Sequence, residues 1–157
     1  MPSYDLTRGN LLDPETGVPS SVTYLYAILD DVTVQSRTPD GETHGSVWRG
    51  KAMIDTGATI TTVHPSVADE LRLAPRGSER DATGTQEKPA ALYLVRMTII
   101  GARCDLLVAG RRYDPDPDRD LEVANLFKVT IGTDILQSCR FTYNDPPDRF
   151  TLEFHRP

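Results

Sequence analysis

The stretch Met53-Ile54-Asp55-Thr56-Gly57-Ala58-Thr59 decides how this chain is read. Apolar residues lead into Asp55, so a carboxylate stands where a strand leaves the core. Gly57 lets backbone approach closely without a Cβ clash. Thr56 adds a short hydroxyl able to hydrogen-bond beside the acid. A carboxylate on a rigid turn in partly dry surroundings suits acid/base chemistry.

Outward from that turn the chain reads as short strands. Val22 to Leu29 places Val22, Tyr24, Tyr26 and Ile28 on one face, and a further short strand runs through Val32 and Val34. Pro39-Asp40-Gly41 is a turn, because Pro presets its φ and Gly tolerates φ > 0. The strand after it returns from about Val47 through Ile54. Pro65 to Leu71 reads as a short helix with Val67, Ala68 and Leu71 on its apolar stripe. Residues 75–90 form an exposed hairpin or loop. Leu92 to Ile100 is a strand with Tyr93, Val95, Met97 and Ile99 facing one way, and Gly101-Ala102-Arg103 turns into another from Cys104 to Ala109.

Residues 110–120, where Arg111-Arg112 is followed by alternating Asp and Pro, form a solvated loop. Lys128 to Ile131 is a strand ending at Gly132, and Asp134 to Ser138 a helical turn that Asp134 caps. A closing hairpin pairs Phe141–Asn144 with Phe150–Phe154. Residues 1–20 read as a loosely held N-terminal arm, and 21–157 as a single domain with an inserted loop over 110–128. The class is mainly β, a small closed β-barrel-like fold with one or two short helices.

Composition narrows the function. A chain of 157 residues can bury a core without disulfide or metal support. Lys and Arg number 17 against 23 Asp and Glu, for a net charge of −6. That balance argues against nucleic acid or an anionic membrane as partner. No apolar run reaches membrane-spanning length, and the start lacks a signal-peptide layout. Cys104 and Cys139 fit reduced, buried thiols and a cytoplasmic protein better than a disulfide framework. His44, His64 and His155 lack metal-ligand spacing, so neither a metal nor another cofactor is expected.

Asp55-Thr56-Gly57-Ala58 after an apolar strand, Ala82-Thr83-Gly84-Thr85 downstream and Val129-Thr130-Ile131-Gly132-Thr133-Asp134-Ile135-Leu136 near the end together resemble the retropepsin-like aspartic proteases, the single-domain, retroviral-type family. The resemblance covers roughly residues 22–155. It implies the small barrel, peptide-bond hydrolysis and a homodimer. It makes Asp55, Thr56 and Gly57 catalytic, with Thr56 bracing the paired loops across a two-fold axis. Ala58 and Thr59 would meet substrate, as would Thr83, Gly84 and Thr85 on a flap that closes over it. Ile131-Gly132 would pack behind the Asp55 loop. Two departures stand out: Thr133 replaces the usual Arg after the tail glycine, and the segment from Gly110 to Val129 is much longer than the family keeps it.

The dimer also follows from chemistry. Two carboxylates about 3 Å apart cannot both ionise, so they share a proton, one acting as base and the other as acid. This chain has one Asp-Thr-Gly; Asp40-Gly41 has no apolar strand before it. A second Asp55, from a second copy, completes the pair. Mildly acidic pH, where the dyad holds one proton, is expected to favour activity. A different class of function, a catalytically silent module for dimerisation or peptide binding, is motivated by the long insertion and the missing Arg. A phospho-accepting aspartate is disfavoured: position 53 is Met, not the second acid of an Asp-x-Asp motif.

Overall fold

A computed structural model describes residues 2–13, 15–79, 90–111 and 127–155. Its strands are β1 (Ser3–Asp5), β2 (Thr7–Leu12), β3 (Pro19–Tyr26), β4 (Ile28–Arg37), β5 (Thr43–Ile54), β6 (Thr62–Val63), β7 (Pro75–Glu79), β8 (Ala90–Ile99), β9 (Ala102–Gly110), β10 (Val129–Ile131), β11 (Cys139–Tyr143) and β12 (Arg149–Phe154). Two short helices, α1 (Pro65–Glu70) and α2 (Thr133–Leu136), interrupt them. The mainly β reading is borne out.

The main sheet runs β4-β5-β10-β6-β9-β8-β7, and β4 also pairs with β8. Six strands therefore close on themselves, with β7 appended outside the ring. Closure leaves those six without a free edge and gives the alternating side chains of each strand an inside. Val32 and Val34, Ala52, Val63, Val95, Met97, Ile99, Val108, Val129 and Ile131 fill it, all of them buried. Val67 of α1 and Leu71, its C-cap, belong to the same cluster. α1 starts where the sequence places it: Pro65 opens the first turn, and His64 Nδ1 accepts the Ser66 amide at 3.1 Å as the cap. A histidine with no metal-ligand neighbours thus has a structural task.

Two turns and one strand break explain the strand order locally. Thr38 and Glu42 close the Pro39-Asp40-Gly41 turn, where the Thr38 amide donates to the Glu42 carbonyl at 2.8 Å. Ile100 and Gly101, both at positive φ, make a two-residue hairpin between β8 and β9. The turn lies one residue earlier than the sequence suggests, because Ala102 is already paired with Ile99. The predicted Val22–Leu29 strand is broken at Ala27, whose carbonyl receives the Ile54 amide at 2.8 Å.

The loosely held arm is corrected for residues 2–13. β1 pairs antiparallel with β12, and Tyr4 stacks on the fully buried Phe150 with centroids 5.2 Å apart. Arg149 holds the strand further, donating to Ser3 Oγ and Asp5 Oδ1. Turn-forming residues at 9–10 and 13–14 hide β2, which pairs with nearby β3, and β1 is hidden because its partner β12 lies more than a hundred residues away. β1, β12 and β11 make a three-stranded sheet, and β2 and β3 form a hairpin sheet of their own. The flap residues Thr83, Gly84 and Thr85, and most of the 110–128 insertion, lie outside the described residues.

Candidate active site

Asp55 sits at the first position after β5, beside the end of β10, which runs parallel to it with Ile131 opposite Ile54. Its amide donates to the Ile131 carbonyl at 3.0 Å, so the ladder continues one step into the turn. The turn then closes on itself: the Ala58 amide donates to the Asp55 carbonyl at 3.2 Å, and the Gly57 amide to Asp55 Oδ1 at 2.8 Å. A Cβ on Gly57 would stand 3.2 Å from that same Oδ1. Glycine is here for close approach to the carboxylate rather than for a left-handed turn.

A second turn braces the first from behind. The Gly132 amide donates to Thr61 Oγ1 at 3.1 Å, and the Thr133 amide to the Ala58 carbonyl at 2.8 Å. A Cβ on Gly132 would meet the Ile60 carbonyl carbon at 2.7 Å and the Ala58 oxygen at 2.9 Å. Only a residue without a side chain lets α2 come this near. Ile131-Gly132 packs behind the Asp55 loop, as the sequence suggests.

Asp134 ties the two turns together. Its carboxylate accepts the Ile135 amide at 2.9 Å, the Thr61 amide at 2.9 Å and the Thr61 hydroxyl at 2.6 Å. The capping role read from sequence is corrected: Gly132 is the N-cap of α2 and makes no side-chain cap bond, while Asp134, the second residue of the helix, bonds the next amide and fully buried Thr61 instead. Thr61 is the functional neighbour that sequence reasoning misses. Its hydroxyl donates to Asp134 and accepts from Gly132, which uses both capacities of a Thr side chain.

On its open side Asp55 lines a pocket of about 330 Å³ with Thr56, Ile54, Leu25, Ala27 and Phe141 among the other walls. Thr56 is exposed there. Ala58 and Thr59 stand apart from this pocket: the Ala58 carbonyl is bound by α2, and the Thr59 carbonyl receives the Thr133 hydroxyl at 3.4 Å. Thr133, in place of an arginine, therefore bonds within its own chain. Burial pushes the Cys139 thiol up to about 11, with Cys104 adding to the effect, so both free cysteines stand as protonated thiols at neutral pH. Among the described residues, no group of three His, Cys, Asp or Glu side chains could hold a metal ion. No helix among them is long and apolar enough to cross a membrane.

Comparison with known proteins falls on the same residues. The aspartyl protease family matches positions 40–108, a segment that carries Asp55, Thr56 and Gly57. Over that segment, less than half of the chain, the sequence is similar to the aspartyl protease family. A solved structure described as a retropepsin-like aspartic protease from Rickettsia conorii is similar at 18% identity, covering 83% of this chain and 96% of that one, with a TM-score of 0.46. No curated protein matches the sequence. The family read from Asp55-Thr56-Gly57-Ala58 is borne out by the matched segment.

Proposed function

We propose that this chain is an aspartic endopeptidase whose active centre is completed by a second copy. Two Asp55 carboxylates, one from each copy, share a proton across a two-fold axis. One draws a proton from a bound water, which attacks the peptide carbonyl. The other, protonated, donates to the carbonyl oxygen. Collapse of the tetrahedral intermediate releases the amine, which takes up the proton held by the dyad.

A single observation carries the reading. Asp55 lies within the family-matched segment on a turn closed by Gly57 and buttressed by α2, and it opens onto a pocket able to admit a peptide. The Thr61–Asp134 network supports it, because a reacting carboxylate must be held within a fraction of an ångström. The substrate is a protein or peptide, held extended so that side-chain pockets select the cleavage site.

The test is hydrolysis of a peptide library at mildly acidic pH. Cleavage that a statine-type transition-state mimic blocks, and that Asp55→Asn abolishes, supports the reading. Tight peptide binding with no turnover would instead establish a silent peptide-binding module.

A further inference from the structure

We propose that Cys104 and Cys139 are a redox switch set behind the Asp55 turn: a small-molecule disulfide joins the two sulfurs, and the bridge slackens the brace on that turn. The effect on catalysis rests on the peptidase reading above; the bridge itself does not. Both cysteines are free and half-buried. They come from different sheets, Cys104 from β9 of the barrel and Cys139 from the first position of β11, and both pack against the same core.

The helix α2 is where they meet. A cavity of about 280 Å³ is lined by Cys104, by Asp134 and Ile135 of that helix, and by Ser138 and Phe154. Ser138 precedes Cys139 in the chain, and Phe154 is the partner of Cys139 across the β11–β12 ladder. Cys139 Sγ donates to the Ile135 carbonyl at 3.6 Å. The two thiols thus flank a helix of only 4 residues, whose Asp134 carboxylate holds the Thr61 amide at 2.9 Å and its hydroxyl at 2.6 Å. Burial pushes the Cys139 thiol up to about 11, and Cys104 adds to the shift, so the sulfurs lie within electrostatic reach of each other.

Cys104, which lines the cavity, gives up its proton and attacks one sulfur of the incoming disulfide, releasing the first thiol. Cys139 then loses its proton and attacks the Cys104 sulfur of the mixed disulfide, releasing the second. The reagent takes up the two protons and two electrons that the cysteines lose. Burial opposes a charged thiolate but not a neutral bridge, and a thiol of raised pKa is a poor leaving group, so the closed bridge reopens slowly. Once oxidised, Cys139 has no hydrogen to give the Ile135 carbonyl, and β9 is tied to β11 beside α2. The helix shifts, and Asp134 draws away from Thr61.

The experiment treats the full chain with oxidised glutathione and then with dithiothreitol. Peptide mapping without reductant is expected to show Cys104 joined to Cys139, with a mass lower by about 2 Da. Hydrogen exchange at the amides of Thr61, Gly132 and Thr133 is expected to quicken on oxidation. Peptide cleavage is expected to fall roughly fivefold or more, since small displacements of a reacting group are costly, and dithiothreitol reverses both changes. Cys104→Ser and Cys139→Ser, each tested alone, are expected to abolish bridge and response while keeping the wild-type melting temperature under reduction. Absence of the bridge, whether the cysteines stay reduced or carry separate glutathione adducts, overturns the switch. So does a bridge that leaves exchange at those amides, or cleavage by an active chain, unchanged. A bridge that quickens exchange in a chain with no peptidase activity in either state overturns the peptidase reading and leaves the switch standing.

Discussion

The Thr61 hydroxyl lies 2.6 Å from Asp134 Oδ1, a link between residues 73 apart in sequence that fixes the loop after Asp55 to the helix α2. The same hydroxyl accepts the Gly132 amide. Replacing it therefore breaks two hydrogen bonds in a site with no water access, since Thr61 is 0% exposed.

Thr61→Val is the sharpest probe of that link. It keeps the shape of the side chain but leaves the buried Gly132 amide without its partner, which costs about 1–3 kcal/mol, while Asp134 Oδ1 loses the hydroxyl and keeps the Ile135 amide. Denaturant unfolding is expected to show this loss. Peptidase activity is expected to fall further than stability alone explains, because the Asp55 turn loses its brace. Unchanged stability would mean that the network carries little.

Gly132→Ala tests the close approach of the two turns. The new methyl would press on Ile60 and Ala58 backbone, which cannot rotate away. Overpacking of this kind costs about 1–3 kcal/mol. A lower melting temperature is expected, with loss of activity at temperatures where the variant is still folded.

Acid stability is expected to depend on Asp105. Its carboxylate receives Arg96 Nε at 2.8 Å and Nη2 at 3.0 Å, and Arg37 Nε stands 3.2 Å away as an ion pair. The Arg96 hydrogen bonds hold the Asp105 pKa below the usual carboxylate range. A lowered folded-state pKa stabilises above the unfolded value of about 3.9 and is lost as pH falls through the folded one. Asp105→Asn is therefore expected to be less stable than wild type near neutrality, with the gap narrowing below about pH 4. A gap that stays constant down to pH 2 would show that the ion pair is not its source.

Arg149→Ala is expected to free β1. The guanidinium reaches Ser3 Oγ at 2.7 Å, the Ser3 carbonyl at 2.7 Å and Asp5 at 2.6 Å. Removing it leaves the β1–β12 ladder and the Tyr4–Phe150 stack to hold the strand, so hydrogen exchange of residues 3–5 should quicken before the barrel loosens. Phe150→Ala removes the other half and, as a fully buried aromatic, costs about 3–5 kcal/mol.

Much of this was readable in the residues because the information is local. Alternation in Tyr93, Val95, Met97 and Ile99 reports a strand whatever it pairs with, and Pro65 with the Val67, Ala68 and Leu71 stripe reports a helix start. Asp55-Thr56-Gly57 is legible for a similar reason: carboxylate and glycine interact across two residues. What sequence hides is pairing at a distance. β1 looks like loose arm because its partners are Phe150 and Arg149, and Thr61 looks like another small polar residue until Asp134 folds against it. Nothing near Thr61 in sequence announces an acceptor that the tail brings in.

The central claim is that each active centre draws one aspartate from each of two copies, and mixing measures it most directly. Wild-type chain is combined with the Asp55→Asn variant at a constant total concentration, under conditions where dimers exchange, and peptide cleavage is followed. With random pairing and inactive mixed dimers, activity falls as the square of the wild-type fraction, to about a quarter at equal amounts. A linear fall, to about half, would show that one chain hydrolyses peptides by itself and would contradict the account.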